Sequence, residues 1–453
     1  MRLPKFFDRD RTIAPPQFNR WFIAIAALSV HLSIGQVYSF SVFNLPLTKL
    51  IGISQSAPED WTLPTLGWIF SCAIAFLGIS AATFGRWVER EGPRKAMFVS
   101  ALCFSGGFFI SAIGVALHQI LLLYFGYGVL GGIGLGIGYI SPVSTLIKWF
   151  PDRPGMATGI AIMGFGGGAI IGSPFAVNLM DFFKSPTSVG VIPTFLTMAV
   201  SYFCLMMVGM WIVRVPHPDW LPANYQPDLR SYPLVTTANV SAYNAIRTPQ
   251  FWLLWVVLCT NVTAGIGVLS QASPMIQEIF QVSPKDGAIF VSLLSLFNML
   301  GRFIWSSVSD YLGRKRTYIV FFGLGILLYP LIPAIGKLQN ILMFDICFCI
   351  VLSTYGGGFA TIPAYLRDLF GVMHVGAIHG RLLTAWSVAG VLGPVLVNYI
   401  HDYQIKSLAV PKSESYAMTM YIMAGFLCIG LLANLQVRAV DPKYHYVLPT
   451  HDQ

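Results

Sequence analysis

The sequence predicts an all-α membrane protein, with twelve transmembrane helices in two six-helix halves, and three observations carry that expectation. Hydrophobic residues fill 55% of the 453 positions and charged ones 10%, with a mean hydropathy of +0.67, which lies outside the range of soluble globular proteins. Apolar runs of about 20 residues recur along almost the whole length, and each is long enough as a helix to cross roughly 30 Å of hydrocarbon. The chain also repeats itself. GRWVEREGPRK (85–95) follows the second run and SSVSDYLGRKR (306–316) follows the eighth, so Glu89 and Asp310, Gly92 and Gly313, and a basic pair recur at an offset of 221 residues; Pro142 and Pro363 share that offset.

The first run, 21–45, follows a polar tail holding Arg2, Lys5, Arg9, Arg11 and Arg20. It is too long for a signal-peptide core and lacks a small-residue cleavage site, so it is expected to remain as helix 1. Runs 64–85, 96–116, 120–147, 156–179 and 191–214 complete the first half. The proline-bearing VPHPDWLPANYQPDLRSYP around 215–233 then reads as a linker. Runs 249–272, 286–309, 317–336, 339–366, 382–401 and 416–436 form the second half, the long fourth and tenth runs including interfacial turns. The expected organisation is a tail (1–20), an N-terminal bundle (21–214), a linker (215–248), a C-terminal bundle (249–436) and a tail (437–453). Parallel repeats of this sort place a substrate site at their interface near the bilayer midplane.

Charge orients the bundle. With the N-terminus inside, 21 of the 28 Lys and Arg residues fall on the cytoplasmic side, six fall outside (Lys49, Lys184, Lys285, Lys337, Lys406, Lys412) and Arg302 stays in the membrane. The positive-inside rule therefore places both termini in the cytoplasm of a multi-pass protein of the cell's inner (plasma) membrane. The net charge of +9 is mostly topological; no soluble basic domain exists for nucleic acid to bind. All seven cysteines lie in apolar runs, without the histidine spacing of a metal site, and read as small core residues. Neither a metal nor another cofactor is implied. GFGGG at 164–168 lacks a preceding strand and sits in a span, so it is not a nucleotide loop. Glycines 128, 132 and 136, and 164, 168 and 172, spaced four apart, form flat stripes for close helix packing.

Arg302 is the functional pointer. It is the one charge in the apolar stretch 286–309 after Asp286, and a cation at that depth faces a cavity or an anion. A guanidinium offers a planar fork that matches a carboxylate with two parallel hydrogen bonds. Asn298 lies one turn before it and Trp305 three residues after, which puts the three on one helical face.

At this point the residues resemble a known family. The loop pattern between helices 2 and 3, echoed between 8 and 9, looks like the signature of the major facilitator superfamily. GQVYSFSVFNLPL in helix 1, GIGLGIGYISPVSTLIKWFPDRPGMATGIAIMGFGGG across helices 4 and 5, TPQFWLLWVVLCTNVTAGIGVLSQASPM in helix 7 and YGGGFATIPAYLRDLFGVMHVGAIHGRLLTAWSVAGVLGP across helices 10 and 11 are similar to the oxalate/formate antiporter family. The resemblance covers residues 20–436 and implies secondary transport of small organic anions. It also implies Gln36, Tyr38, Tyr139 and Tyr355 as hydrogen-bonding members of the site wall beside Arg302 and Asn298. One position departs: the family's oxalate carrier has a lysine in helix 11, whereas alignment on Ala389, Gly390 and Gly393 puts Trp386 there. One cation with an indole suits a singly charged anion better than a dicarboxylate.

The leading expectation is thus a monocarboxylate transporter, of the formate, pyruvate or lactate type, working by alternating access and not an enzyme. The alternatives are an oxalate:formate-type antiporter, a multidrug/H⁺ antiporter, which should show a membrane acid, or a transporter-like receptor, which should show a signalling domain. No glutamate and no well-centred aspartate lies in the spans, so the partner for exchange or cotransport is a counter-anion or a proton held by substrate or by His31, although a packed neutral role suits His31 better. Asp345 lies near the outer end of helix 10, where water reaches it. Glu89 with Arg90 and Arg94, and Asp310 with Arg314, Lys315 and Arg316, are the expected gate, as charge pairs across the inner helix ends. The unit is expected to function as a monomer.

Overall fold

The computed structural model describes residues 4–217, 220–223, 225 and 234–446. The middle of the expected linker, 226–233, and the last tail residues, 447–453, lie outside them, as do residues 1–3.

Among the described residues, twelve helices are long and apolar enough to cross a membrane. They are α1 (Phe22–Leu47), α2 (Leu63–Glu91), α3 (Pro93–Ala116), α4 (Ile120–Trp149), α5 (Pro154–Phe183), α6 (Val191–Ile212), α7 (Pro249–Phe280), α8 (Pro284–Leu312), α9 (Arg314–Lys337), α10 (Ile341–Phe370), α11 (Val375–Lys406) and α12 (Ala417–Gln436). Isolated bridges such as Ile13 with Val215 are the extended pairings among these residues.

Local chemistry sets where the helices start and stop. Thr62, Thr248 and Asn340 each accept a first-turn N–H with their side chains, and Ser283 with Asp286 forms a full capping box on α8. Proline occupies the first turn of α2, α3, α5, α7 and α8, where its missing N–H costs nothing. Gly92 (φ 89°) and Gly313 (φ 85°) break α2 from α3 and α8 from α9, in a backbone region that a Cβ disfavours, which explains why glycine recurs at the 221-residue offset. Most helices run past their apolar stretches at one end or both. The largest differences are in α7, which continues to Phe280 rather than 272, and in α11, which begins at Val375 rather than 382 because the amphipathic VGAIHGRL winds as a helix ahead of the membrane run.

The glycine stripes do pack helices. Gly128, Gly132 and Gly136 abut Cys72, Ala73 and Leu77 of α2, and Gly164, Gly168 and Gly172 abut Leu28, Leu32 and Gln36 of α1. A Cβ at Gly168 would sit 2.6 Å from the Leu32 carbonyl oxygen, closer than packing allows. Across the halves, α5 packs on α8 and α11 on α2. These two seams position everything that follows.

Candidate functional site

Arg302 lies at the α5–α8 seam, with no exposed surface. Its Nε donates to Asn298 Oδ1 (3.3 Å) and its Nη1 to the Ile162 carbonyl of α5 (3.1 Å), while Nη2 is buried without a protein partner. Gly166 allows this approach, since a Cβ there would meet Nε at 3.0 Å. The guanidinium carbon lies 5.5 Å from the Phe359 ring centre and 6.0 Å from those of Phe165 and Tyr38. An arginine fixed by two bonds and enclosed by rings keeps one donor edge free.

Phe165 is the hub of the surrounding aromatic cluster. Tyr38 (5.2 Å between ring centres), Tyr139 (5.4 Å), Trp386 (5.4 Å) and His31 (6.4 Å) all meet it edge-on. Trp386 is fully buried and also meets Phe359 at 4.6 Å and Tyr139 at 5.5 Å. The Tyr38 and Tyr139 hydroxyls and Trp386 Nε1 are buried without protein partners, as is Arg302 Nη2. An unpaired buried donor costs about 1–3 kcal/mol, and a charged one more, so four of them around one ring call for an acceptor-rich occupant. The arrangement suits a small anion.

The site residues expected from sequence divide into those gathered here and those turned away. Arg302, Asn298, Tyr38, Tyr139 and Trp386 come together, and Tyr355 flanks Tyr38 with its ring against Gly265 of α7. Gln36 does not join them: it accepts from the Tyr127 hydroxyl (2.9 Å) inside the N-terminal half. Residues 35–43 wind as a tight three-residue turn, and two positions along such a helix differ by roughly 200–240°, so Gln36 and Tyr38 cannot face the same way. Trp305 also turns aside, donating to Ser353 Oγ (3.1 Å) and packing on Phe321 of α9. His31 is buried with Nδ1 on the Ala27 carbonyl (3.1 Å). Asp345 is half-buried on α10, roughly 15 Å along the helix axis from Tyr355 at 1.5 Å per residue. Phe165, Phe359 and His379, whose ring lies 5.8 Å from that of Tyr139, were not anticipated. The lone aromatic in GFGGG was the available signal for the first.

The end of the bundle bearing the tails is closed by two carboxylates that cross between halves. Asp310 of α8 accepts from the Gly155 and Met156 N–H groups at the start of α5, both at 2.8 Å. Glu89 of α2 accepts from the Ala377 N–H (3.0 Å) near the start of α11, with His374 Nδ1 at 3.4 Å. Acceptors and donors alike are 221 residues apart, so one device is built twice. A carboxylate at a helix N-terminus meets unpaired N–H groups and the positive end of the helix dipole. Arg314 joins Asp310 (2.6 Å) to Asp368 of α10 (3.0 Å), as expected of a charge pair there. The pairing expected in the first half is corrected. Arg90 is exposed and bonds Glu91, and Arg94 donates to the Phe6 carbonyl (3.0 Å), because successive residues at the helix end point to different sides and only Glu89 faces α11.

The family profile of the Major Facilitator Superfamily matches residues 18–394. The chain belongs to that superfamily. It is a multi-pass membrane transporter. It is 28% identical over 415 residues to the oxalate:formate antiporter of Oxalobacter formigenes, covering 89% of this chain and 92% of that one. It is 23% identical to apicoplast pyruvate carrier 1 of Toxoplasma gondii (72% and 68% covered) and 22% identical to human monocarboxylate transporter 11 (91% and 82% covered). Among solved structures, the Escherichia coli fucose:proton symporter superposes with a TM-score of 0.65 at 12% identity, over 91% of this chain and 97% of the other. That likeness establishes the shared twelve-helix fold.

Proposed function

We propose that this transporter carries a small monocarboxylate, of the formate, pyruvate or lactate type, by alternating access. One observation carries the reading: Arg302 holds a free, buried donor edge inside an aromatic cage whose other unpartnered donors include two hydroxyls and an indole N–H. A carboxylate accepts from all of these donors, and a wall of rings suits a small apolar or keto group better than a second charge. The carboxylate-carrying names among the relatives agree with it. A second reading, oxalate:formate exchange, is favoured by the identity to the oxalate:formate antiporter. Uptake of labelled formate, pyruvate, lactate, acetate and oxalate into proteoliposomes decides between them. We expect at least one monocarboxylate to be taken up in preference to oxalate; oxalate as the best substrate would replace the first reading with the second.

The moving units in this proposal are residues 21–214 and 249–436, rocking about the 215–248 linker, in a monomer of the inner (plasma) membrane with both termini cytoplasmic. The counter-substrate is a second anion or a proton. Asp310 and Glu89 are the inner gate, holding the cytoplasmic end shut until the halves rock apart. Asp310→Asn weakens two charge-assisted bonds to α5 and the tie to Arg314, each about 1.5–3 kcal/mol. The resting population should shift toward inward-open and exchange should slow, with substrate affinity changed by no more than a few-fold, since the residue lies outside the cage. Thiol labelling of a cysteine introduced near Gly155 reads the shift; a large affinity loss at unchanged labelling would refute the gating role.

A further inference from the structure

Beside the Asp310 gate lies a cavity of about 790 Å³, walled by the start of α5, the end of α8, the start of α9, the end of α10, the stretch after α12 and linker residues Tyr225, Leu234 and Val235. Its charges are unevenly spent. The three acids lining it are all occupied: Asp310 by Arg314 and the α5 N–H groups, Asp368 by Arg314 and Arg367, and Asp152 by Arg20 at 2.7 Å. Three of the cations are not. Lys315 places two of its donors on the Leu435 and Val437 carbonyls (2.7 and 2.8 Å), with no carboxylate among the described residues paired with it. Arg316 and Arg438 have no hydrogen bond or ion pair among the described residues, although Arg438 lies close enough to Lys315 to repel it. Arg367, by contrast, is spent on Asp368 (3.0 Å) and the Pro151 carbonyl (3.3 Å).

We propose that this cavity is a regulatory site for a phosphate-bearing anion. Phosphate fits the inventory: several acceptor oxygens with more than one negative charge can balance Lys315, Arg316 and Arg438 together, in front of the open first turn of α9. A single carboxylate has too little charge for three cations. Two sources share this chemistry. The headgroup of an anionic phospholipid can enter from the bilayer side, where Ile319 both lines the cavity and is exposed on α9; a soluble phosphate ester can enter from the aqueous side. In either case the ligand touches Pro151 and Pro154 of the first half as well as the second. Its binding therefore ties the α5–α8 seam at the gate and favours the closed form of that end. The inference is independent of which substrate is transported.

The test uses the full chain in phosphatidylcholine nanodiscs, with thermal unfolding and native mass spectrometry as readouts. One arm adds phosphatidylglycerol and the other adds pyrophosphate at constant ionic strength. We expect at least one to raise the Tm and to remain bound, with the double variant Arg316→Gln/Arg438→Gln losing about tenfold or more in affinity while its Tm in pure phosphatidylcholine is unchanged. Arg86→Gln/Arg90→Gln, in the last turns of α2 in the first half, is the control for general attraction to a basic face, and it should retain wild-type affinity. A response to phosphatidylglycerol alone assigns the headgroup, and a response to pyrophosphate alone assigns a soluble ester. No response to either, or an equal loss in the control variant, overturns the site.

Discussion

Arg302→Gln should reduce carboxylate transport to background, and Arg302→Lys should weaken binding by about 1–3 kcal/mol, roughly five- to 150-fold in affinity. The two variants separate charge from shape. Glutamine removes the cation and leaves a caged neutral amide, so the anion loses its only full counter-charge in the aromatic pocket. Lysine keeps the charge but cannot reproduce the present geometry, in which Nε is held by Asn298 and Nη1 by Ile162 while Nη2 remains open. An ammonium that takes those two acceptors has little left to offer a carboxylate, and one that reaches the substrate abandons them. Competition binding in detergent and exchange in proteoliposomes measure both. Wild-type exchange by Arg302→Gln would remove the central claim, whereas Arg302→Lys matching wild type would show that charge alone recognises the anion.

The sequence exposed what depends on composition and spacing, and hid what depends on rotation. Arg302 is legible because a lone cation in an apolar run is costly wherever it points. The carboxylates Glu89 and Asp310 are legible as repeated letters at a fixed offset, and so is Arg314 beside Asp310, yet their partners across the halves are not, because both are received there by main-chain N–H groups that carry no letter of their own. Facing is the harder matter. Gln36 and Tyr38 are two residues apart in a segment wound tighter than an α-helix, and Trp305 is drawn off by Ser353 and Phe321. A helical-face argument handles Asn298 and Arg302, one turn apart, and fails for residues whose direction is set by a neighbouring helix. Phe165 was hidden differently: Gly164 and Gly168 on either side of it read as packing, and they do pack α5 on α1 while Gly166 admits Arg302, which is what lets a single ring stand at the centre of the site.

Trp386→Lys carries the second large effect, a change in which anion is preferred. The indole lies against Phe359, Phe165, Tyr139 and Tyr38, and its Nε1 is buried without a partner, so a side chain at this position addresses the same space as Arg302 from another helix of the same half. Lysine there would add a second cation. For a monocarboxylate that cation has nothing to pair with, and a buried unpaired ammonium costs several kcal/mol, so affinity should fall. For oxalate the second carboxylate supplies the pair and offsets that desolvation. Selectivity is the difference between the two binding energies, and both changes act in the same direction. We expect the oxalate-to-monocarboxylate ratio in competition assays to rise by tenfold or more, about 1.4 kcal/mol or above. Trp386→Phe keeps the apolar wall without the N–H, and it should retain the wild-type preference with a modest loss of affinity. If Trp386→Lys folds and exchanges anions with an unchanged preference, α11 does not set the charge of the substrate, and the choice between one carboxylate and two rests on the wall around Arg302 alone.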